Sequence, residues 1–135
     1  MGRLLAIDYG NRRVGLALSD PLKMIASPYR TIINKGDSNL IVEIERIIAA
    51  EDVEQTIIGL PLGMAGQITE QTKKVEEFAD KLIARGIAID YEDERWSSVA
   101  AKRSLKEQKI KTGHNKELVD QTAAAIFLQQ YLERH

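Results

Sequence analysis

Arg3-Leu-Leu-Ala-Ile-Asp8-Tyr-Gly10-Asn11-Arg12-Arg13-Val14-Gly15-Leu16-Ala17-Leu18-Ser19 is the stretch on which the reading of this chain turns. Leu4, Ala6 and Asp8 alternate with Leu5, Ile7 and Tyr9, the period of two that a strand imposes on its side chains. Gly10-Asn11 supplies a tight turn. Val14, Leu16 and Leu18 then alternate with Gly15, Ala17 and Ser19 in a second strand. A third strand is expected from Met24 to Ile33, with Pro28 marking an edge or a bulge because it has no N–H to donate.

Beyond this point the period changes. Leu40, Ile41, Ile44, Ile47 and Ile48 fall on one face of a helix over 38–51, with Ser38 placed to cap it. Thr56-Ile57-Ile58-Gly59 predicts a short buried strand ending at Leu60-Pro61, and Leu62 to Gln67 a loop. A helix to about Arg85 buries Val75, Phe78, Ala79 and Leu82, and Gly86 suits its left-handed exit. Ile87 to Asp93 is the expected fifth strand. Ser97 or Ser98 is placed to cap a helix running to about Gln108, Ile110 to His114 forms a basic loop, and Asn115 caps the last helix.

The order βββαβαβαα predicts an α/β fold: a mixed five-stranded sheet with helices on both faces, residues 1–135 forming one domain. Right-handed crossovers set the later strands parallel to the first. The carboxyl ends of the first and fifth strands then share one edge, where ligands bind in open α/β sheets.

Composition narrows the function. The chain has 135 residues, 44% of them apolar and none cysteine, so thiolate metal sites and a cysteine nucleophile are excluded. A cytoplasmic location is expected, since the apolar start is broken at Asp8, too early for a signal-peptide core. No membrane partner is expected, because the longest uncharged run, Gln55 to Thr69, is interrupted by glycine and proline. The net charge of −1 does not announce nucleic acid, but residues 37–94 hold 14 acidic and 5 basic side chains while the remainder holds 6 and 14. Lys102, Arg103, Lys106, Lys109, Lys111 and Lys116 crowd one segment against a single acid, Glu107. One side of the molecule is thus suited to attract phosphate, although a solvated helix face with a charged loop has the same composition.

Three carboxylates stand in unlike settings. Asp8 ends the first strand, Glu94 follows the fifth, and Asp120 lies early in the alanine-rich last helix. Carboxylates that end core elements are costly to bury unpaired, and a set converging from distant parts of a chain is what a divalent-metal phosphodiester site requires. Simpler accounts exist: a hairpin with an aspartate near its turn, a serine-capped surface turn at Asp93-Glu94-Arg95-Trp96-Ser97-Ser98, and an acid favoured by a helix dipole. Asp93 and Glu117 are auxiliary acids whose part in a metal site the sequence leaves open. Gly59-Leu60-Pro61-Leu62-Gly63 either lines the cleft or is a structural turn.

At these residues the chain resembles the YqgF/RuvX family, itself similar to the RuvC resolvases of the ribonuclease H-like superfamily. The likeness rests on Asp8-Tyr-Gly-Asn-Arg-Arg-Val-Gly-Leu-Ala, Gly59-Leu-Pro-Leu, Asp93-Glu-Arg-Trp-Ser-Ser and Lys116-Glu-Leu-Val-Asp120 with Ala123-Ala124, in order, over essentially the whole chain. It implies a ribonuclease H-like fold and a nuclease dependent on Mg²⁺ or Mn²⁺. The implied role is 5′-end processing of precursor 16S ribosomal RNA, with resolution of Holliday junctions in DNA recombination as the alternative. Asp8, Glu94 and Asp120 are the implied catalytic, metal-binding acids, and Arg12, Arg95, Ser97, Ser98 and Lys116 the implied substrate contacts. The departure from RuvC-like enzymes is a fourth acid. None accompanies Gly59-Leu-Pro, so Glu94 from the next strand substitutes.

Two ions about 3.5–4 Å apart would stabilise the attacking and leaving oxygens. The expected partner is nucleic acid, precursor rRNA or branched DNA, bound by a monomer or weak homodimer; cutting both strands of a junction favours a symmetric dimer. Rival readings are an actin-like ATPase, for whose second lobe 135 residues leave no room, and a catalytically idle nucleic-acid-binding module.

Overall fold

Alternation in the first two strands sorts their side chains onto two faces, and the helices settle accordingly. The computed structural model describes residues 2–95 and 116–135, with the backbone alone for 116–119. Its elements are β1 (Arg3–Asp8), β2 (Arg13–Ser19), β3 (Ala26–Ile33), α1 (Asp37–Ala50), β4 (Val53–Leu60), α2 (Glu70–Ala84), β5 (Ile89–Asp93) and α3 (Lys116–Arg134). The sheet order is β3-β2-β1-β4-β5. β1–β2 and β2–β3 pair antiparallel, while β1–β4 and β4–β5 pair parallel. This is the mixed five-stranded α/β sheet expected from the sequence. The helix expected over 97–108, its serine caps, the basic loop and the Asn115 cap lie outside the described residues.

Leu5 and Ile7 of β1, with Val14, Leu16 and Leu18 of β2, face α1 and α2, where Leu40, Ile44, Val75, Phe78 and Leu82 close the larger core. Leu4 and Ala6 face the other way, onto Ala124, Phe127, Leu128 and Tyr131 of α3. Because successive strand side chains alternate, Asp8 falls on the α3 face. Small residues along both partners, Ala6 and Ala17 against Ala124 and Ala125, let α3 lie close to the sheet.

Several boundaries differ from expectation for identifiable reasons. Helix α1 starts at Asp37 after Gly36 with no side-chain cap, so Ser38 lies within the first turn. Tyr9 Oη instead donates to Asp37 Oδ1 at 2.7 Å, tying that turn to the end of β1. β3 begins at Ala26 rather than Met24, because the Asp20 carboxylate accepts the backbone N–H groups of Leu22, Met24 and Ile25 and holds them in a turn. β4 reaches back to Val53, where parallel pairing with Arg3 extends it. β5 begins at Ile89 rather than Ile87. Pro28 sits on an edge strand beside a register irregularity opposite Leu16 and Ala17, as its missing N–H dictates. Gly86 leaves α2 with φ 83°, the left-handed exit its position suggested.

The α2 N-terminus is a reciprocal capping box: Thr69 Oγ1 accepts from the Thr72 N–H, and Thr72 Oγ1 accepts from the Thr69 N–H. Thr69→Ala should therefore cost about 1 kcal/mol, seen as a lower urea midpoint at unchanged slope. No helix among the described residues is long and apolar enough to cross a membrane.

Candidate active site

The carboxyl end of β1 meets the start of α3 through a glycine. Asp8 lies directly opposite Gly15 in the β1–β2 ladder, and a Cβ placed on Gly15 would stand 2.2 Å from the Asp120 carbonyl oxygen and 2.8 Å from Asp120 Cβ. Only glycine lets the first turns of the helix sit on the strand there. Asp120 and Asp8 consequently occupy the same patch of the same face.

Glu94 arrives from the other side. It follows β5, with its backbone N–H directed at the Leu60 carbonyl at 3.4 Å. A Cβ on Gly59 would lie 2.5 Å from Glu94 Oε2 and 2.7 Å from Phe127, so this glycine makes room for the carboxylate between β4 and α3. The Asp8 carboxyl is pushed well above the ordinary aspartate range, first by burial, then by the negative charges of Glu94 and Asp120, and by a hydrogen bond shared with Glu94. Asp8 thus feels Glu94 and Asp120, both far from it in sequence.

Arg13 is the basic partner that sequence inspection passed over. Its Nε donates to Asp120 Oδ2 at 2.8 Å, with both side chains half-buried. Arg12, the arginine singled out from the motif, lies exposed in the turn, where its carbonyl accepts from the Asn34 N–H. Alternation is the signal that separates them. Arg13, Gly15 and Ala17 share the face of Asp8, whereas Arg12 precedes the strand.

Asp93 and Arg95 pair with each other. Arg95 Nε donates to both Asp93 oxygens at 3.1 and 2.9 Å, and its Nη1 donates to the Met64 carbonyl at 3.2 Å. The guanidinium holds the Asp93 carboxyl below its usual range, against the opposing effect of burial. Asp93 is thereby committed to Arg95, while Glu94 joins Asp8. Ser97 and Ser98 lie outside the described residues, and for Lys116 and Glu117 only the helical backbone is described.

Tertiary contacts hold β5 to the far end of α3. Tyr131 Oη donates to Asp90 Oδ2 at 2.7 Å, and burial followed by this bond pushes the phenol up to about 12. Buried Glu92 pairs with Arg134. Asp90, Glu92 and Glu94 therefore form an alternating acidic row turned toward α3. Burial raises the Glu92 carboxyl and Arg134 opposes that rise. Arg134→Ala should raise it further, so the stability lost grows as pH increases and Glu92 must ionise without its partner. Thermal melts at pH 5 and pH 8 should show the larger drop at pH 8.

The donor set consists of hard carboxylate oxygens, which suit Mg²⁺ or Mn²⁺. A buried carboxyl pressed by a second acid, as Asp8 is by Glu94, is the place where a cation would relieve repulsion, so the residue types fit such an ion. Among the described residues no three acidic or histidine side chains stand at ready-made ligand positions, and Asp120 is engaged by Arg13.

A family model described as RuvX, Holliday junction resolvase, matches residues 2–134. The chain belongs to the RuvX family. Relatives include a protein of Roseiflexus sp. (strain RS-1), 41% identical across 98% of this chain and 94% of its own. Another, from Bacteroides thetaiotaomicron, is 42% identical across 98% of this chain and 97% of its own. Both are provisionally named pre-16S rRNA nucleases. Among solved structures, T. thermophilus RuvC in complex with a Holliday junction substrate superposes with TM-score 0.60 at 13% identity, covering 99% of this chain and 96% of that one. The Fowlpox virus resolvase gives 0.54 at 8% identity, covering 98% and 97%. At such low identity these likenesses establish the fold of this RuvX member and nothing finer.

Proposed function

We propose that this chain is a single-domain, cytoplasmic, divalent-metal-dependent nuclease that hydrolyses phosphodiester bonds in the 5′-end processing of precursor 16S rRNA. The observation that carries the reading is that Glu94 and Asp120 both act on the buried Asp8 carboxyl, which its two neighbours hold up. Membership of a family named for nuclease activity supports it, as do whole-chain relatives named for pre-16S rRNA.

Asp8, Glu94 and Asp120 would hold Mg²⁺ or Mn²⁺, as one or two ions. The ion supplies charge neutralisation for the phosphodiester and lowers the cost of activating water. Asp8, fixed by the sheet at the end of β1, gives the site its rigid donor. Glu94 enters from the end of β5, and the Gly59 gap sets its approach. Asp120 is carried by α3, whose distance from the sheet the Gly15 contact determines. Arg95, tied to Asp93 and the Met64 carbonyl, is kept at the rim, where it can meet a substrate phosphate. Phosphate contacts of this kind fix position rather than sequence, so the substrate is selected by shape.

The family description favours one second reading, resolution of four-way DNA junctions, which calls for a symmetric dimer. Incubating purified protein with a precursor 16S rRNA 5′-end fragment and with a four-way junction, each under Mg²⁺ and Mn²⁺, separates the two. Cleavage of the rRNA fragment alone is the expected result. Cleavage confined to the junction would transfer the assignment to resolution, and binding without cleavage of either would leave a nucleic-acid-binding module.

A further inference from the structure

The Arg13–Asp120 ion pair raises a question of occupancy. Asp120 is one of the three acids on the shared face, yet one of its oxygens, Oδ2, is held by Arg13 Nε at 2.8 Å. Arg13 itself is firmly placed. It opens β2, is paired in register with Ile33 of β3, and follows a turn pinned by Asn34, whose Nδ2 donates to the Gly10 carbonyl and whose N–H donates to the Arg12 carbonyl, both at 2.8 Å. The guanidinium therefore stands beside the one carboxylate of the three that α3 contributes. The described acids, correspondingly, do not form a ready three-donor group.

We propose that Arg13 is a positioning residue that acts as the site's resident counter-cation: it restrains Asp120 until a phosphodiester takes over its guanidinium, and so couples divalent-ion binding to substrate binding. The inference rests on the metal-dependent reading above. Its chemistry is an exchange of partners. A guanidinium binds phosphate oxygens with the same fork that binds carboxylate. An arriving phosphate group offers Arg13 an alternative anion and frees Asp120 Oδ2 for an ion. By linkage, whatever affinity the nucleic acid gives the ion, the ion returns to the nucleic acid. With no phosphate present, Arg13 and the ion compete for Asp120. Being half-buried, the pair is screened by solvent less than a surface pair would be.

The test is Mn²⁺ titration by calorimetry of the whole chain as wild type, Arg13→Ala, Arg13→Gln and Asp8→Asn. Each protein is titrated alone and with phosphorothioate-backbone probes, an RNA hairpin and a four-way DNA junction, that resist cleavage. Both Arg13 variants should bind Mn²⁺ roughly tenfold more tightly than wild type without nucleic acid, the size of effect that partners of metal ligands commonly exert. Wild type should gain a similar factor with one of the probes, and the Arg13 variants should gain little. Arg13→Gln keeps most of the side-chain bulk, so a folding defect confined to Arg13→Ala leaves the comparison intact. Weaker Mn²⁺ binding by Arg13→Gln, or wild-type affinity unmoved by both probes, overturns the proposal while leaving the metal site standing. Equal failure of wild type and Asp8→Asn to bind Mn²⁺ overturns the metal reading itself, and this inference with it.

Discussion

Asp8→Asn is expected to lower metal-dependent cleavage by roughly a thousandfold, the rate equivalent of the several kcal/mol that a bound ion contributes, and at the same time to make the protein harder to melt at neutral pH. The two effects have one cause. Burial and the charges of Glu94 and Asp120 hold the Asp8 carboxyl well above its ordinary value. A carboxyl raised in this way binds its proton more tightly folded than unfolded. It favours folding below the unfolded value, and that advantage is lost as pH rises through the raised folded value. Wild type should therefore lose Tm between pH 5 and pH 8 through this group, whereas Asp8→Asn should melt about 3 °C higher at pH 8, the shift of roughly 1 kcal/mol in a chain of this size. Mn²⁺ should stabilise wild type at pH 8 and have little effect on the variant. Wild-type turnover by Asp8→Asn would defeat the assignment of Asp8, and an unchanged Tm would show that the acids do not repel one another in solution.

Gly15→Val should be the most damaging single substitution for the fold near the site. Its Cβ would collide with the Asp120 backbone, 2.2 Å from the carbonyl oxygen and 2.3 Å from the carbonyl carbon. A strand and a helix backbone cannot yield as a flexible side-chain tip can. The helix must lift, opening the smaller core of Leu4, Ala6, Ala17, Ile57, Phe127 and Leu128. Overpacking of this kind costs about 3 kcal/mol, and lifting α3 also carries Asp120 away from Asp8. Gly15→Ala should show the same defect in milder form. Urea unfolding followed by circular dichroism measures the first loss, and Mn²⁺ titration the second. A Gly15→Val protein as stable as wild type would mean that α3 does not press on β2.

The two effects differ in kind. Asp8 is a position where stability is sacrificed to gather charge, while Gly15 is a position where packing sets the geometry of that charge. They are unequally legible in the sequence. Asp8 announces itself, because an acid in phase with Leu4 and Ala6 at the end of a strand is conspicuous. Gly15 looked like one small residue in an alternating strand, and its contact with Asp120 spans 105 positions. No local pattern carries such a contact.

The same division separates Arg12 from Arg13. The motif contains both in succession, and the family likeness implies a substrate contact only for Arg12. Pairing of Asp8 with Gly15 settles which face each residue joins, because directly opposed residues in an antiparallel ladder project to the same side. Alternation traced backwards from Ala17 through Gly15 places Arg13 on the acidic face. Ser38 failed as a helix cap for a related reason. Its hydroxyl is suited to the role, but the bond from Tyr9 to Asp37 brings the helix start one residue earlier.

Periods of two and 3.6, with their glycine and proline interruptions, were enough to establish five strands, three of the helices and the order in which they follow one another, since these patterns are local and repeat. They also marked Asp8, Glu94 and Asp120 as acids at the ends of apolar elements. Which acids meet, and that Arg13 rather than Arg12 holds Asp120, were decided only when β1, β5 and α3 packed together. The Asp93–Arg95 pair is local, two residues apart, but the meetings of Asp8 with Glu94 and of Arg13 with Asp120 join distant residues. They depend on strand order and helix height, which follow from the balance of the whole core rather than from any one stretch of chain.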